Sequence, residues 1–240
     1  MHRLLITVSL LILLAHANAQ RVIDVNSGNG TGATDKDVRN VVNGQVYTGL
    51  KFVRVTAGTP FFKEKFMKAE LYDDDNGRYR TGAVRLNLLD NEINFLGDDG
   101  REMTASSPIT RITLMDTVSN IQYYFILGQK LGVTDHSLDR VWFEVLVNDE
   151  TSLCRMVKKR IHETPAYGTA TTDEDILSIE TFYLHDRSGL TAIKSWDHLQ
   201  ELLKDKKPQL DLFIHDHKLK GRSAADYTQL LVAYNAAKKS

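Results

Sequence analysis

Cysteine is nearly absent from this chain: Cys154 is the single one in 240 residues. One cysteine closes no intramolecular disulfide, so the fold must rest on a hydrophobic core of adequate size. Also missing beyond the N-terminus is any apolar run near the roughly 20 residues that a membrane-crossing helix needs. There is no surplus of positive charge either, with 30 Lys and Arg against 31 Asp and Glu. That balance argues against a polyanion-binding protein, and nucleic acid is excluded as an expected partner. The chain has no G-x-S-x-G elbow, no H-E-x-x-H helix and no recognisable acid and base carboxylate pair. Each absence removes a reason to propose the corresponding hydrolase chemistry.

What is present begins with a three-part N-terminus. A short basic start (Met1, His2, Arg3) is followed by an apolar run from Leu4 to Leu14 and the small-residue pattern Ala17-Asn18-Ala19. This reads as a secretory signal peptide over residues 1–19, too short to anchor in a bilayer. Gln20, not Cys, follows it, so no lipid attachment is expected, and loss of Arg3 takes the formal charge from −1 to −2. The mature chain is expected to be soluble, without a transmembrane segment. Residues 20–45 read as a flexible leader, because NSGNGTGATDKD from Asn26 to Asp37 has no apolar periodicity. The glycosylation pattern Asn29-Gly30-Thr31 lies in it, and its glycines lack the Lys-Ser/Thr pair of a phosphate loop.

From about residue 46 to 194 apolar residues recur with period two. In GAVRLNLLDNEINFL, Val84, Leu86 and Leu88 alternate with polar residues, a turn falls near Asp90-Asn91, and Ile93 and Phe95 resume the alternation. That is a hairpin with one buried face. FMKAELY, EMTASS, RITLMD, IQYYFILG, RVWFEVLVND, TSLCRMVKK, ILSIETFYLHD and LTAIKS are further strands, with DDDNGR, LGDDGR and DRSG as turns. Two strands are apolar on both faces: Ile121, Tyr123, Phe125 and Leu127 backed by Tyr124 and Ile126, and Val141, Phe143, Val145 and Val147 backed by Trp142 and Leu146. These are expected to be central, covered on both sides. The fold class is therefore mainly β (α+β): an antiparallel meander, sandwich or open barrel.

Over residues 195–240 the period turns helical. Ser195 caps a helix bearing Trp196, Leu199 and Leu203, Pro208 opens a second, and Ser223 caps a third with Tyr227, Leu230, Leu231 and Tyr234 on one stripe. This segment is expected to pack on the sheet as part of the same unit.

Few residues invite chemistry. His215 and His217 in FIHDHKLKG would share a face on a strand, but Leu210, Phe213, Ile214 and His217 form a helical stripe. On a helix the two point about 160° apart and cannot grip one ion, leaving His217 half-buried and His215 exposed. His185, His198, His136 and His162 read as solvated side chains. Placing Gly77 of DDDNG at the sixth position of a calcium loop puts Tyr72 first and Ala83 twelfth, where carboxylates are required, so the run reads as a hairpin turn. Gly97 to Gly100 is a second acidic tip. Cys154 has basic neighbours but sits in a strand, as a small core residue does. The basic runs Arg155 to Arg160 and Lys204 to Arg222 read as a solvated strand edge and helix ends, or as a patch for an anionic glycolipid or partner.

The succession GTPFF, RLNLLDNEINF, WFEVLVNDETSLCRMVKK, ETFYLHDRSGLTAIKS and LFIHDHKLKGRSAADYTQLLVAYN resembles a group of exported β-rich proteins of Bacteroidota, over about Gly58 to Asn235. The resemblance implies a Gram-negative envelope setting, with the periplasm first, and carries over no catalytic residue. The expectation is an exported, non-enzymatic interaction or structural protein of the cell envelope. Its alternatives are a carrier holding an apolar ligand in an open barrel and, more weakly, a metal-assisted hydrolase. No catalytic residue, metal ligand or cofactor is assigned, and the partner is an envelope protein or apolar ligand of unknown identity.

Overall fold

The computed structural model describes residues 44–46, 54–74, 77–165 and 172–239. The expected signal peptide, and all of the expected leader except residues 44 and 45, lie outside the described residues. Twelve strands form one sheet: β1 (Gly44–Val46), β2 (Arg54–Ala57), β3 (Met67–Asp73), β4 (Gly77–Asn87), β5 (Glu92–Leu96), β6 (Glu102–Ala105), β7 (Ile109–Asp116), β8 (Ile121–Leu127), β9 (Trp142–Val147), β10 (Ser152–Pro165), β11 (Thr172–Asp186) and β12 (Gly189–Ile193). Three helices follow, α1 (Trp196–Leu202), α2 (Lys207–His217) and α3 (Ala224–Lys239). The order across the sheet is β1-β6-β5-β4-β3-β7-β8-β9-β10-β11-β12, all antiparallel, with β2 added parallel to β11. The protein is thus mainly β, one large open and mostly antiparallel sheet with a C-terminal helix packed against it.

The sheet cannot be flat. Four strand spacings separate β6 from β7, about 19 Å. Thr104 stands level with the start of β3 through Asn94, Arg85 and Val84, whereas Ile109 pairs with Asp73 at its end. Yet Ala105 and Ile109 are joined by three residues, a reach of at most about 15 Å. The strands from β3 to β7 must therefore roll until β6 and β7 approach. The long strand β4 makes this possible: its first part pairs β3, its last part pairs β5, and the register breaks at Gly82-Ala83 between them.

The inside of the roll is filled by its own side chains. Ala69, Val84, Leu86 and Leu114 have no exposure, and Met67, Leu71, Tyr79, Phe95, Ile112, Phe125 and Trp142 close around them. Trp142 spans the roll, its indole N–H donating to the Asn91 carbonyl at 3.2 Å. The β4–β5 hairpin has the expected apolar face, but its polar face is covered too. Asn87 and Asn94 are fully buried because residues 60–66 run across them. There Arg85 lies 3.5 Å above the Phe61 ring and pairs with Glu102, which also accepts from Asn94 Nδ2 at 2.8 Å.

The second apolar cluster joins Leu153, Leu184 and Ile193 of the sheet to Leu199, Leu210, Tyr227, Leu230 and Leu231 of the helices. The Ser195 hydroxyl accepts from His198 N, Pro208 stands in the first turn of α2, and the Ser223 hydroxyl accepts from Asp226 N, as the capping pattern predicts. Buried Asn235 on α3 clamps the backbone of Thr151, accepting from its N–H at 3.2 Å and donating to its carbonyl at 2.8 Å. That clamp fixes α3 against the β9–β10 turn. A third cluster, with Phe143, Cys154, Tyr183 and Leu131, occupies the opposite face of the same strands.

Strand β9 is central, as expected, and touches all three clusters. Strand β8 corrects its expectation: Ile121 and Tyr124 are 47% and 50% exposed. Only Phe125 to Leu127 of β8 pair with β9, so its first half runs past the neighbour that would have covered it.

Candidate functional site

Strands β10 and β11 pair over fourteen positions, but β9 accompanies β10 only as far as Met156. Beyond Val157, which still packs against the roll, the two strands run on as a projecting hairpin. Residues directly opposite in an antiparallel pair share a face. Lys158 therefore stands beside Ile179 and Arg160 beside Leu177, all exposed. Ile179 and Leu177 are 45% and 49% exposed, and neither cation has a carboxylate partner among the described residues. Part of the basic run expected at a strand edge is here, with an aliphatic companion for Lys158 and Arg160, while Lys159 stands beside Ser178.

The root of the hairpin holds a buried ion network. Glu144 on β9 accepts from Arg155 Nε at 2.9 Å and Nη2 at 2.5 Å, and Glu180 on β11 lies 3.2 Å from Nη1. Burial pushes the Glu144 carboxyl above the usual range, against the pull of the adjacent guanidinium. Arg155 is thus not part of a solvated edge. Glu144 escaped notice in the sequence, where its signal is a lone carboxylate between Phe143 and Val145. The arrangement orients one guanidinium between two carboxylates and stiffens the base of the hairpin.

An open groove of about 650 Å³ lies where β12 ends and α3 begins, between Glu180, Thr181 and Phe182 of β11, Lys194 after β12, and Gly221 and Arg222 before α3. Its floor is aromatic: Phe182 stacks on Tyr227 at 4.5 Å, and Trp196 meets Tyr227 edge-on at 5.2 Å. Gly221 is required there, since its φ is +64° and a Cβ would come within 2.3 Å of the Trp196 ring. Lys194 and Arg222 also lack carboxylate partners among the described residues.

The remaining candidates are dispersed. His215 and His217 end helix α2 and point to different sides. His217 is exposed, not half-buried: it closes the last turn, where Lys218 turns left-handed (φ 54°), and stacks on Phe213 at 3.9 Å. His198 accepts from the Lys194 N–H, His136 pairs with Asp139 and His162 lies exposed on β10. Among the described residues no three His, Cys, Asp or Glu side chains gather as a metal site would. Of DDDNG, Asp73 ends β3 opposite Gly77, which starts β4, and Asp74 is held by Lys130, Thr110 and Arg111. In the second acidic tip Asp99 pairs with Arg101 at 2.5 Å. Cys154 is wholly buried, and burial pushes its thiol up to about 12, far from a reactive thiolate. No described helix is long and apolar enough to cross a membrane.

The chain matches no family model, no curated protein and no solved structure.

Proposed function

We propose that the protein is an exported, non-enzymatic interaction protein of the bacterial cell envelope, residing in the periplasm. The observation that supports this reading is the projecting β10–β11 hairpin, whose Lys158/Ile179 and Arg160/Leu177 pairs present charge and aliphatic surface together. Isolated exposed aliphatic residues need no explanation, but two in a row on a stiffened hairpin, each beside a cation without a carboxylate partner among the described residues, form a contact surface. Two measurements test it. Cell fractionation is expected to find the full chain in the envelope fraction with Gln20 as its new N-terminus. A broad hydrolase screen is expected to be silent, and turnover that persists through purification and vanishes in Glu144→Gln would overturn the reading.

A second reading, a carrier for an apolar ligand, draws on the groove floored by Phe182 and Tyr227, since side chains occupy the interior of the roll. Native mass spectrometry of freshly purified protein would show a bound small molecule, and an unliganded mass alone would count against it.

A further inference from the structure

The outer edge of β11 is interrupted. Strand β2 pairs it at residues 173–175, and Gly58, next after β2, packs on the Ile176 carbonyl so closely that a Cβ would lie 2.1 Å from it. Strand β12 pairs residues 182–186. Between them, Leu177 to Thr181 have β10 on one side and no described strand on the other. In an antiparallel ladder alternate residues direct both N–H and C=O to the same neighbour. The Glu174 carbonyl accepts from Thr56 on the β2 side, and Asp186 faces Gly189 across the two-residue turn to β12. Even-numbered residues of β11 therefore turn outward, and Ser178 and Glu180 offer two N–H and two C=O groups to the gap.

We infer that this gap is a slot for an extended, carboxylate-bearing peptide strand of a partner protein, a specific use of the interaction role proposed above and dependent on it. Three observations select the occupant. The slot is bounded by strands at both ends, so an added strand of about five residues completes the sheet. The groove beside Glu180 to Phe182 leaves room for its end. Among the described residues the cations around it without a carboxylate partner are Lys158, Arg160, Lys194 and Arg222, while of the nearby carboxylates Glu180 is held by Arg155, Asp175 accepts from the Thr56 hydroxyl and Glu174 is buried. A strand whose carboxylates lie beside Lys194 and Arg222 meets these cations favourably, and one bearing cations there would be repelled.

The test uses the full mature chain and fluorescein-labelled pentapeptides of alternating Val and Glu or alternating Val and Lys. At low salt the Glu peptide should bind at least ten-fold more tightly, and it should slow hydrogen exchange at the Ser178 and Glu180 amides. Ser178→Pro removes one outward N–H and spares the pairing with β10, so it should retain its Tm within a few degrees and lose at least ten-fold in affinity. Lys194→Glu combined with Arg222→Glu should weaken binding by a similar factor without changing the fold. Equal affinity for the two peptides, unchanged binding by Ser178→Pro, or protection at other amides would each overturn the slot. So would binding to phosphatidylglycerol vesicles, undiminished in Ser178→Pro and unaccompanied by peptide binding, which assigns the cations to a lipid surface. Failure of the peptide while the hydrolase screen stays silent removes the slot alone, whereas turnover removes the interaction reading whether or not peptide binds.

Discussion

The roll and the projecting hairpin are built from the same alternating pattern, yet they end in opposite states. In the roll, strands β3 to β7 curl so that every inward residue meets another strand, and even the polar face of β4–β5 is covered by residues 60–66. In the hairpin, β10 and β11 outgrow β9 and β12, so Leu177 and Ile179, of equal apolarity, are left about half exposed. Burial therefore follows from how many neighbours accompany a strand, and the apolar period alone does not fix it. A self-satisfied roll supplies stability, which leaves the hairpin free to carry exposed surface.

Paired truncations would break or sharpen that contrast. Leu114→Ala in the roll, where the side chain has no exposure, should cost about 3 kcal/mol in chemical denaturation, because the close-packed interior cannot collapse around the lost methyls. Arg155→Ala, at the boundary between the two regions, should cost about 3 kcal/mol by leaving Glu144 buried without its partner. A loss under 1 kcal/mol would show that water reaches Glu144 and that the hairpin root is open. Gly221→Ala should cost about 2 kcal/mol, since it demands a left-handed alanine and pushes its Cβ into the Trp196 ring.

Acid sensitivity gives a smaller effect within the roll. The Lys65 ammonium, 2.6 Å from Asp116, holds that carboxyl well below its ordinary range, with the Ser119 and Val118 contacts assisting. A lowered folded pKa contributes stability above the unfolded value of about 4, and that contribution is lost as pH falls below it. Wild type and Asp116→Asn should accordingly differ in Tm near neutral pH and converge in strong acid. The smallest change is expected in the hairpin, where Ile179→Ala should move stability by less than about 0.5 kcal/mol. A large loss there would mean that the exposed aliphatic face is packed in solution.

Local signals were the legible ones. Strand and turn positions from Met67 to Ile193, the capping serines 195 and 223, Pro208 at a helix start and the stripe through Tyr227, Leu230, Leu231 and Tyr234 all follow from nearest-neighbour chemistry. Less legible was the extent of each strand. TSLCRMVKK continues to Pro165, well past its last apolar alternation, because β11 supplies hydrogen bonds whatever the side chains are. The exposure of Tyr124 and the burial of Asn94 were unreadable for a related reason, since both depend on which distant segment lies over the strand. Asn235 looked like an ordinary helix residue, and only the Thr151 backbone beneath it gives it a structural role.

By itself the sequence determined a mainly β chain with a helical C-terminus, no intramolecular disulfide and a helical HDH stretch whose histidines diverge. The tertiary structure alone decided that β6 returns to β7 through a roll, that Glu144 and Arg155 meet in the interior, and that no described strand pairs β11 between β2 and β12. Periodicity and capping act over a few residues, and so they are written locally. Strand order, register and coverage are settled by contacts between residues far apart in the chain, which no short stretch encodes.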